Sequence, residues 1–405
     1  MRRWQKILFG LLLLVLLSQL PFAYRRRRLV RLHEAIQQLN AQRTNFPLDP
    51  LFSDYREYKG VVHVHSFLGG HSSGNFQEII DAAKTNHLDF VVMTEHTERD
   101  INTAAMTLQG VHGGVLFLNG NEVSVKNTGR ALLIPGLETQ SNENTTLETL
   151  SQQVRAKQGL SIVAYPQEFH GWNSEAYDGV EVYNLYTNTK QINPAKMFFD
   201  GLWSYGSYPE LLFANFYERP NQNLRLWDQA LSSGKQLTAL AGNDAHANVG
   251  LGLYDSSGKR LIGLQLDPYA RSFAIVRVHI LYHSHFELTS ESLLAELRSG
   301  NSFIGFDLLA DTTGFRFSAT SGDENRVMGQ ELKLQGEARL KVTAPLPGRI
   351  VLFRNGSAVQ EEQGKNQAEF SVKEPGVYRC EVYLTQLPHP VREQPWIISN
   401  PIYVR

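Results

Sequence analysis

The run Gly60-Val61-Val62-His63-Val64-His65, followed by the glycine-rich Gly69-Gly70-His71-Ser72-Ser73-Gly74, decides how the rest of the chain is read. An apolar strand ending in two histidines one residue apart presents both imidazoles on one face, because strand side chains alternate with period 2. The arrangement recurs outward from that point. Residues 88–93 run into Thr94-Glu95-His96, residues 114–118 lead to Gly120-Asn121-Glu122, and residues 237–241 lead to Gly242-Asn243-Asp244-Ala245-His246. Further apolar strands are expected at 131–134, 160–164 and 179–183, with helical stretches at 76–85, 146–158 and 224–233. Repeated strand then helix predicts parallel strands wrapped by helices, in a barrel or a doubly wound sheet. In parallel α/β barrels the active site gathers at the carboxyl ends of the strands, so these distant segments would converge there. Each motif alone reads as ordinary polar groups at a strand end. Together, five histidines and two or three carboxylates in one mouth form a metal inventory.

The chain has 405 residues, with 42% hydrophobic and 20% charged residues, an ordinary globular composition that excludes collagenous and wholly disordered classes. A single cysteine, Cys380, rules out an intramolecular disulfide and a four-thiolate zinc site; its place in an alternating strand reads as a packed core thiol. Residues 1–31 hold eight basic groups and no acid, and removing those eight from the 39 Lys and Arg leaves 31 against 40 acids. An acidic body of this kind argues against a general nucleic-acid groove.

Residues 7–24 are eighteen uncharged residues between Lys6 and Arg25. As a helix they span about 27 Å, enough to cross a bilayer. The stretch ends in Leu-Pro-Phe-Ala-Tyr-Arg-Arg, a poor cleavage pattern, so an uncleaved single-pass anchor is preferred over a secretory signal. Three Lys/Arg precede the run and five follow it, a small lean toward a cytoplasmic body. The expected organisation is an anchor with basic flanks at 1–31, a tether at 32–57, an α/β unit at 58–310, and an all-β sandwich at 311–405. The last rests on short alternating strands after about residue 315 and an Asn355-Gly356 hairpin signal. His279, His283 and His285 read as hydrogen-bonded or solvated, not as ligands.

The ordered set His63-x-His65, His71, His96, Glu122 and Asp244-x-His246 resembles that of the PHP family, named for polymerase and histidinol phosphatase, over about residues 58–307. The nearer resemblance is to membrane-associated hydrolases of the CehA/McbA type, which also carry a β-rich tail ending near a Ser-Asn-Pro-Ile-Tyr string, here Ser399 to Tyr403. The resemblance implies a distorted seven-stranded (β/α) barrel holding two or three divalent metal ions. Carried over, His63, His65, Glu122 and Asp244 would hold one metal, and His71, His96 and His246 another, with Glu122 bridging toward a third. Glu122, Asp244 and His246 take the catalytic assignment. Two departures stand out. Glu95 replaces the family's Asp before His96, and Tyr165-Pro166 replaces a metal-binding His-Pro, leaving the third position to His170 if it is filled.

The preferred function is a membrane-tethered, metal-dependent hydrolase, foremost a phosphoesterase for a small-molecule or nucleotide substrate. Divalent metals lower the pKa of a bound water toward ~7 and hold a substrate's oxygens against developing charge. Mixed imidazole and carboxylate ligands suit Zn, Mn or Fe. Arg99, Lys126 and Arg130 follow ligand strands and are candidates for a substrate anion, with His170 beside them. The same site would serve a carbamate, ester or amide hydrolase, and ten aromatics in residues 183–217 read either as a lid for an apolar substrate or as packing for extra helices. The alternative from another class is a non-catalytic, membrane-anchored binding or scaffolding protein.

Overall fold

The strands that lead to the histidines and acids, with those between them, are built largely from buried Val, Leu, Ile and Phe, which pack on both faces as central strands do. They are β1 (Tyr55–Val64), β2 (Phe90–Met93), β3 (Glu95–His96), β4 (Val115–Leu118), β5 (Asn121–Val125), β6 (Gly129–Ile134), β7 (Leu160–Ala164), β8 (Gly179–Asn184) and β9 (Thr238–Ala245). The computed structural model describes residues 3–43, 49–70, 72–138, 145–190, 193–214, 216–248, 250–254, 260–265, 267–283 and 287–405. β1 pairs in parallel with β2 and β9, β2 with β4, β3 with β5, β7 with β8 and β8 with β9. β6 is antiparallel to both β5 and β7. Since β3 continues β2 and β5 follows β4 after a two-residue break, the ladders lead from β1 through β8 and β9 back to β1.

Helices cover this sheet with amphipathic faces. α2 (Phe76–Thr85) starts in a capping box of Asn75 and Glu78 and buries Ile79, Ala82 and Ala83. α3 (Leu147–Ala156) is capped by the Thr146 hydroxyl and buries Leu147, Leu150 and Val154. The long α1 (Arg3–Ala41) is apolar and long enough to cross a membrane. Its first half, from Trp4 to Leu20, is largely exposed. In its second half Leu29, Leu32, Ile36 and Leu39, spaced for one helical face, are buried in the core.

Beyond the ring, β10 (Arg277–His283) runs antiparallel to the first half of β1 and pairs with β11 (Ser302–Gly305). The remaining chain is β-rich: β12 (Arg316–Ser321), β13 (Ala338–Arg354), β14 (Ser357–Val372), β15 (Gly376–Tyr383), β16 (Ile397–Ser399) and β17 (Ile402–Val404). The Asn355-Gly356 turn joins β13 to β14 as the sequence suggested, with φ of 50° and 82° and Arg354 opposite Ser357. Residues 338–354 form one irregular strand, whose ladder resumes beyond Pro345 and Pro347.

Two buried ionic networks couple the C-terminal strands to the ring. Arg379 on β15 donates from Nε and Nη2 to Asp228 Oδ1 and Oδ2 at 2.9 and 2.8 Å, and from Nη1 to Glu381 at 2.6 Å. Asp228 sits on helix α5 (Asn221–Ser232), so the fork crosses between the two parts. In the second network His279 pairs with Glu57 through Nδ1 at 2.8 Å and with Thr312 through Nε2 at 3.0 Å, beside Asp307 at 3.4 Å. Burial opposes the imidazolium, but Asp307 and Glu57 outweigh it and raise His279 to about 9. His279 therefore serves structure, in line with its sequence reading, while His285 lies outside the described residues.

A histidine whose pKa is raised by folding contributes stability in full below the unfolded value of about 6.5, and that contribution is lost as pH rises through about 9. Thermal melts of the full chain should show Tm falling across that window. His279→Asn should flatten this fall and lower Tm below the window by several degrees; an equally steep fall in the variant would show that the network does not hold the proton.

Candidate metal centre

The site forms where β1, β3 and β9 end and β5 begins. The backbone there is unusual: His63, Tyr165 and Asp244 have positive φ of 67°, 50° and 47°. Such conformations cost roughly 1–3 kcal/mol each for residues other than glycine and persist where surrounding structure imposes them. At His63 the cause is visible, since the register of β1 shifts between Val62 and Val64 against both neighbours. A bulge of this kind re-aims a side chain. His63 thereby points into the ring with His65 beside it, their ring centroids 5.0 Å apart.

Two carboxylate oxygens organise the cluster. Glu122 Oε2 lies 3.2 Å from His63 Nε2, 3.4 Å from His65 Nε2 and 3.5 Å from His96 Nδ1. Asp244 Oδ1 lies 3.5 Å from His63 Nε2, 3.5 Å from His65 Nε2 and 3.4 Å from His246 Nδ1. His65 is stacked between His96 and His246, with centroids at 4.5 and 4.3 Å. Two sets of side chains can each bring one ligand atom into a common space: His63, His65, Glu122 and Asp244, and His65, His96 and His246. His71, expected with the second set, lies outside the described residues.

The electrostatics favour a cation. Burial would push His63 down, yet Glu181 and Asp244, with hydrogen bonds to Glu122 and Glu181, hold it well above the usual histidine range. For Glu122 and Asp244 burial is outweighed by the histidines, and both carboxyls sit below their ordinary values. His65 goes the other way, lowered by burial to about 3, and is a neutral imidazole, the form that ligates. Both its ring nitrogens and Asp244 Oδ1 are buried without a hydrogen-bond partner. Orphaned buried polar atoms of this sort are rare. Those that share a space here are nitrogen and oxygen donors that Zn, Mn or Fe accept, so the residues present fit a divalent ion.

Surrounding groups fix these donors. Glu181, which the sequence reading did not single out, is fully buried on β8 and meets His63 Nδ1 at 2.6 Å. Gly242 makes room for it, since a Cβ there would stand 1.6 Å from Glu181 Oε1. The only sequence signal for Glu181 is a charged residue at the centre of a wholly buried strand. Tyr165 donates its hydroxyl to Asp244 Oδ2 at 2.7 Å, and Asn184 Nδ2 donates to the same oxygen at 3.2 Å. Burial and the neighbouring carboxylates drive the Tyr165 phenol far above its normal range, so it is neutral and acts as a donor to a carboxylate. Glu95 turns away from the cluster, accepting from the Ser66 backbone N–H and from the Thr107 hydroxyl.

Of the anion-binding candidates, Arg130 is at the site: Nη1 donates to Glu122 Oε1 at 2.8 Å while its side chain keeps 46% exposure. Arg99, Lys126 and His170 are exposed loop residues. His170 is held by its backbone N–H, which donates to the Thr128 carbonyl at 2.7 Å. On the Tyr165 side a cavity of about 200 Å³ adjoins, lined by Tyr165, Gln167, Asn184, Asn188, Arg219 and Asn223 among others. The aromatic-rich segment divides: Tyr183 and Tyr217 pack on Phe306 in the core, whereas Phe198 and Trp203 are exposed.

Neither a protein-family model nor a curated protein matches the sequence. Among solved structures, the chain is similar to a two-domain protein from Bacteroides vulgatus containing a predicted PHP-like metal-dependent phosphoesterase, at 12% identity and a TM-score of 0.40, over 89% of this chain and 99% of that one. It is also similar to PsfC from Pseudomonas syringae, at 14% identity and a TM-score of 0.41, over 62% of this chain and 92% of that one. Likeness at this level carries no statement about residues or activity, which rest on the geometry above.

Outer partners of metal-binding histidines typically govern affinity by 10–100-fold. Glu181→Gln should therefore weaken divalent-metal binding, followed by titration calorimetry, by about that factor. Tyr165→Phe should leave the number of bound metals unchanged; loss of one equivalent would show that the phenol is itself a ligand.

Proposed function

We propose that the chain is a membrane-anchored, divalent-metal-dependent hydrolase of the PHP type, nearest the CehA/McbA kind, acting as a phosphoesterase. The ring traced by the ladders is then read as the distorted seven-stranded barrel, with residues 311–405 as a β-sandwich appended to it. The observation that carries the proposal is the convergence of Glu122 Oε2 and Asp244 Oδ1, each within 3.5 Å of three imidazole nitrogens. His63, His65, Glu122 and Asp244 would hold one ion; His96 and His246, with His71, a second, Glu122 lying between. A third position has no protein support at Tyr165. When bound, the ions would acidify a water and offset charge on a substrate's oxygens.

The chain's own residues supply the rest. Glu181 keeps the His63 ring in one orientation, and Tyr165 with Asn184 holds Asp244 so that Oδ1 faces the cluster. Arg130, partly exposed and anchored on Glu122, is placed to pair with an anionic phosphoryl group, as guanidinium does through its planar fork. That favours a phosphate ester over a neutral carbamate, ester or amide. The amide-rich cavity beside Tyr165 would take the polar remainder of the substrate.

The test uses the full chain in detergent. A start at Arg43 would remove Leu29, Leu32, Ile36 and Leu39 from the core, so the truncated body is unsuitable. After chelation and return of Mn or Zn, phosphomonoesters or phosphodiesters should be hydrolysed only with metal present, and Asp244→Asn should reduce turnover by at least about 100-fold. Cleavage of carboxyl esters or carbamates alone would move the assignment to that chemistry. Metal uptake with no turnover on any substrate would leave a binding protein.

A further inference from the structure

Helix α4 (Pro194–Ser204) leaves Phe198, Leu202 and Trp203 exposed to 56, 64 and 39%. Phe198 and Leu202, at i and i+4, share one helical face, and Trp203 stands at the edge of that face, so the exposed apolar side chains lie along one side of the helix. Its location is set by α1. Phe22, near the end of the uncharged run 7–24, packs its ring against Phe198, Phe199 and Trp203 at centroid distances of 5.5, 4.9 and 5.9 Å. Arg25 then clamps the buried Asp200 of α4 through Nε and Nη2, at 2.5 and 2.6 Å. Arg26 donates to the Trp203 carbonyl and to the Ser207 hydroxyl. The exposed face of α4 is thereby fixed at the level where the apolar part of α1 gives way to arginines.

Where α1 crosses a bilayer, that level is the membrane interface. Phe22 lies two residues, about 3 Å of helix rise, from the last uncharged residue Tyr24. Tryptophan and tyrosine favour this zone, and here Trp203 and Tyr24 are both exposed. The neighbouring Arg26, Arg27 and Arg28 would meet anionic headgroups. A partner protein would need no such alignment with the end of a membrane-length helix.

We propose that α4 lies in the membrane interface as a second membrane contact, with Phe198, Leu202 and Trp203 inserted at the boundary of headgroups and acyl chains. The body would then be seated on the bilayer by two elements instead of hanging from one. This rests on the reading of α1 as an anchor. It also connects the site to the membrane: the segment bearing α4 leaves β8 directly after Asn184, and Tyr186 sets its ring 5.6 Å from His246.

The native Cys380 is buried, so introduced cysteines can be labelled selectively. Full-length chain carrying Leu202→Cys, Leu13→Cys or Val359→Cys, all at exposed positions where substitution costs little, is labelled with a small fluorophore in phosphatidylcholine–phosphatidylglycerol vesicles. Nitroxide-bearing lipid should quench positions 13 and 202 several-fold more than position 359, and aqueous iodide should quench 359 most. Lipid quenching at 13 with iodide quenching at 202 would overturn the second contact and leave the anchor standing. Iodide quenching at both would overturn the contact and the anchor together.

Discussion

Three carboxylates, Glu122, Glu181 and Asp244, are held around the fully buried imidazole of His63, and the rest of the site is arranged to make that tolerable. Burying charge without compensation costs several kcal/mol per ion. His63 and the partly exposed Arg130 offset two of the three, leaving excess negative charge beside the neutral His65. A divalent cation would resolve that imbalance and also satisfy the orphaned atoms of His65 and Asp244. The bulge at His63, the left-handed backbone at Tyr165 and Asp244, and the absent side chain at Gly242 are local costs that make the convergence possible.

The remainder of the fold steadies this arrangement. β9 carries Asp244, leads directly to His246 and is bonded through Ala239 to Asn400, which also bonds Ser302, so the β-rich C-terminal part supports a site strand directly. The Arg379–Asp228 fork and the His279–Glu57–Asp307 network tie the same two parts at other points. These are buried and mutually satisfied, which makes them sensitive to loss of any one member.

The site was legible where strand periodicity and strand ends coincide. His63, His65, His96, Asp244 and His246 could be placed together because they lie at or just past strand ends, and Glu122 because it follows the apolar run 115–118. Glu181 was not legible, since a residue in mid-strand gives no sign of which face is inward until the neighbouring Gly242 is in place. Arg99, Lys126 and His170 follow strand ends in sequence and are exposed in the structure, but a loop's direction is set by its own turns, which strand periodicity does not reveal. The amphipathic character of the stretch after Arg28 was legible from Leu29, Leu32, Ile36 and Leu39, but its continuity with the apolar run as one helix was not, because the arginine run lies between them. The Asn-Gly hairpin was readable because its turn chemistry is local.

The most direct test of the central claim is anomalous diffraction from crystals of the full chain grown with manganese or zinc. The account predicts a strong anomalous peak bounded by His63 Nε2, His65 Nε2, Glu122 Oε2 and Asp244 Oδ1, at roughly 2.0–2.2 Å from its ligands. No peak in that space at saturating metal, with His63 and Glu122 still paired directly, would contradict it.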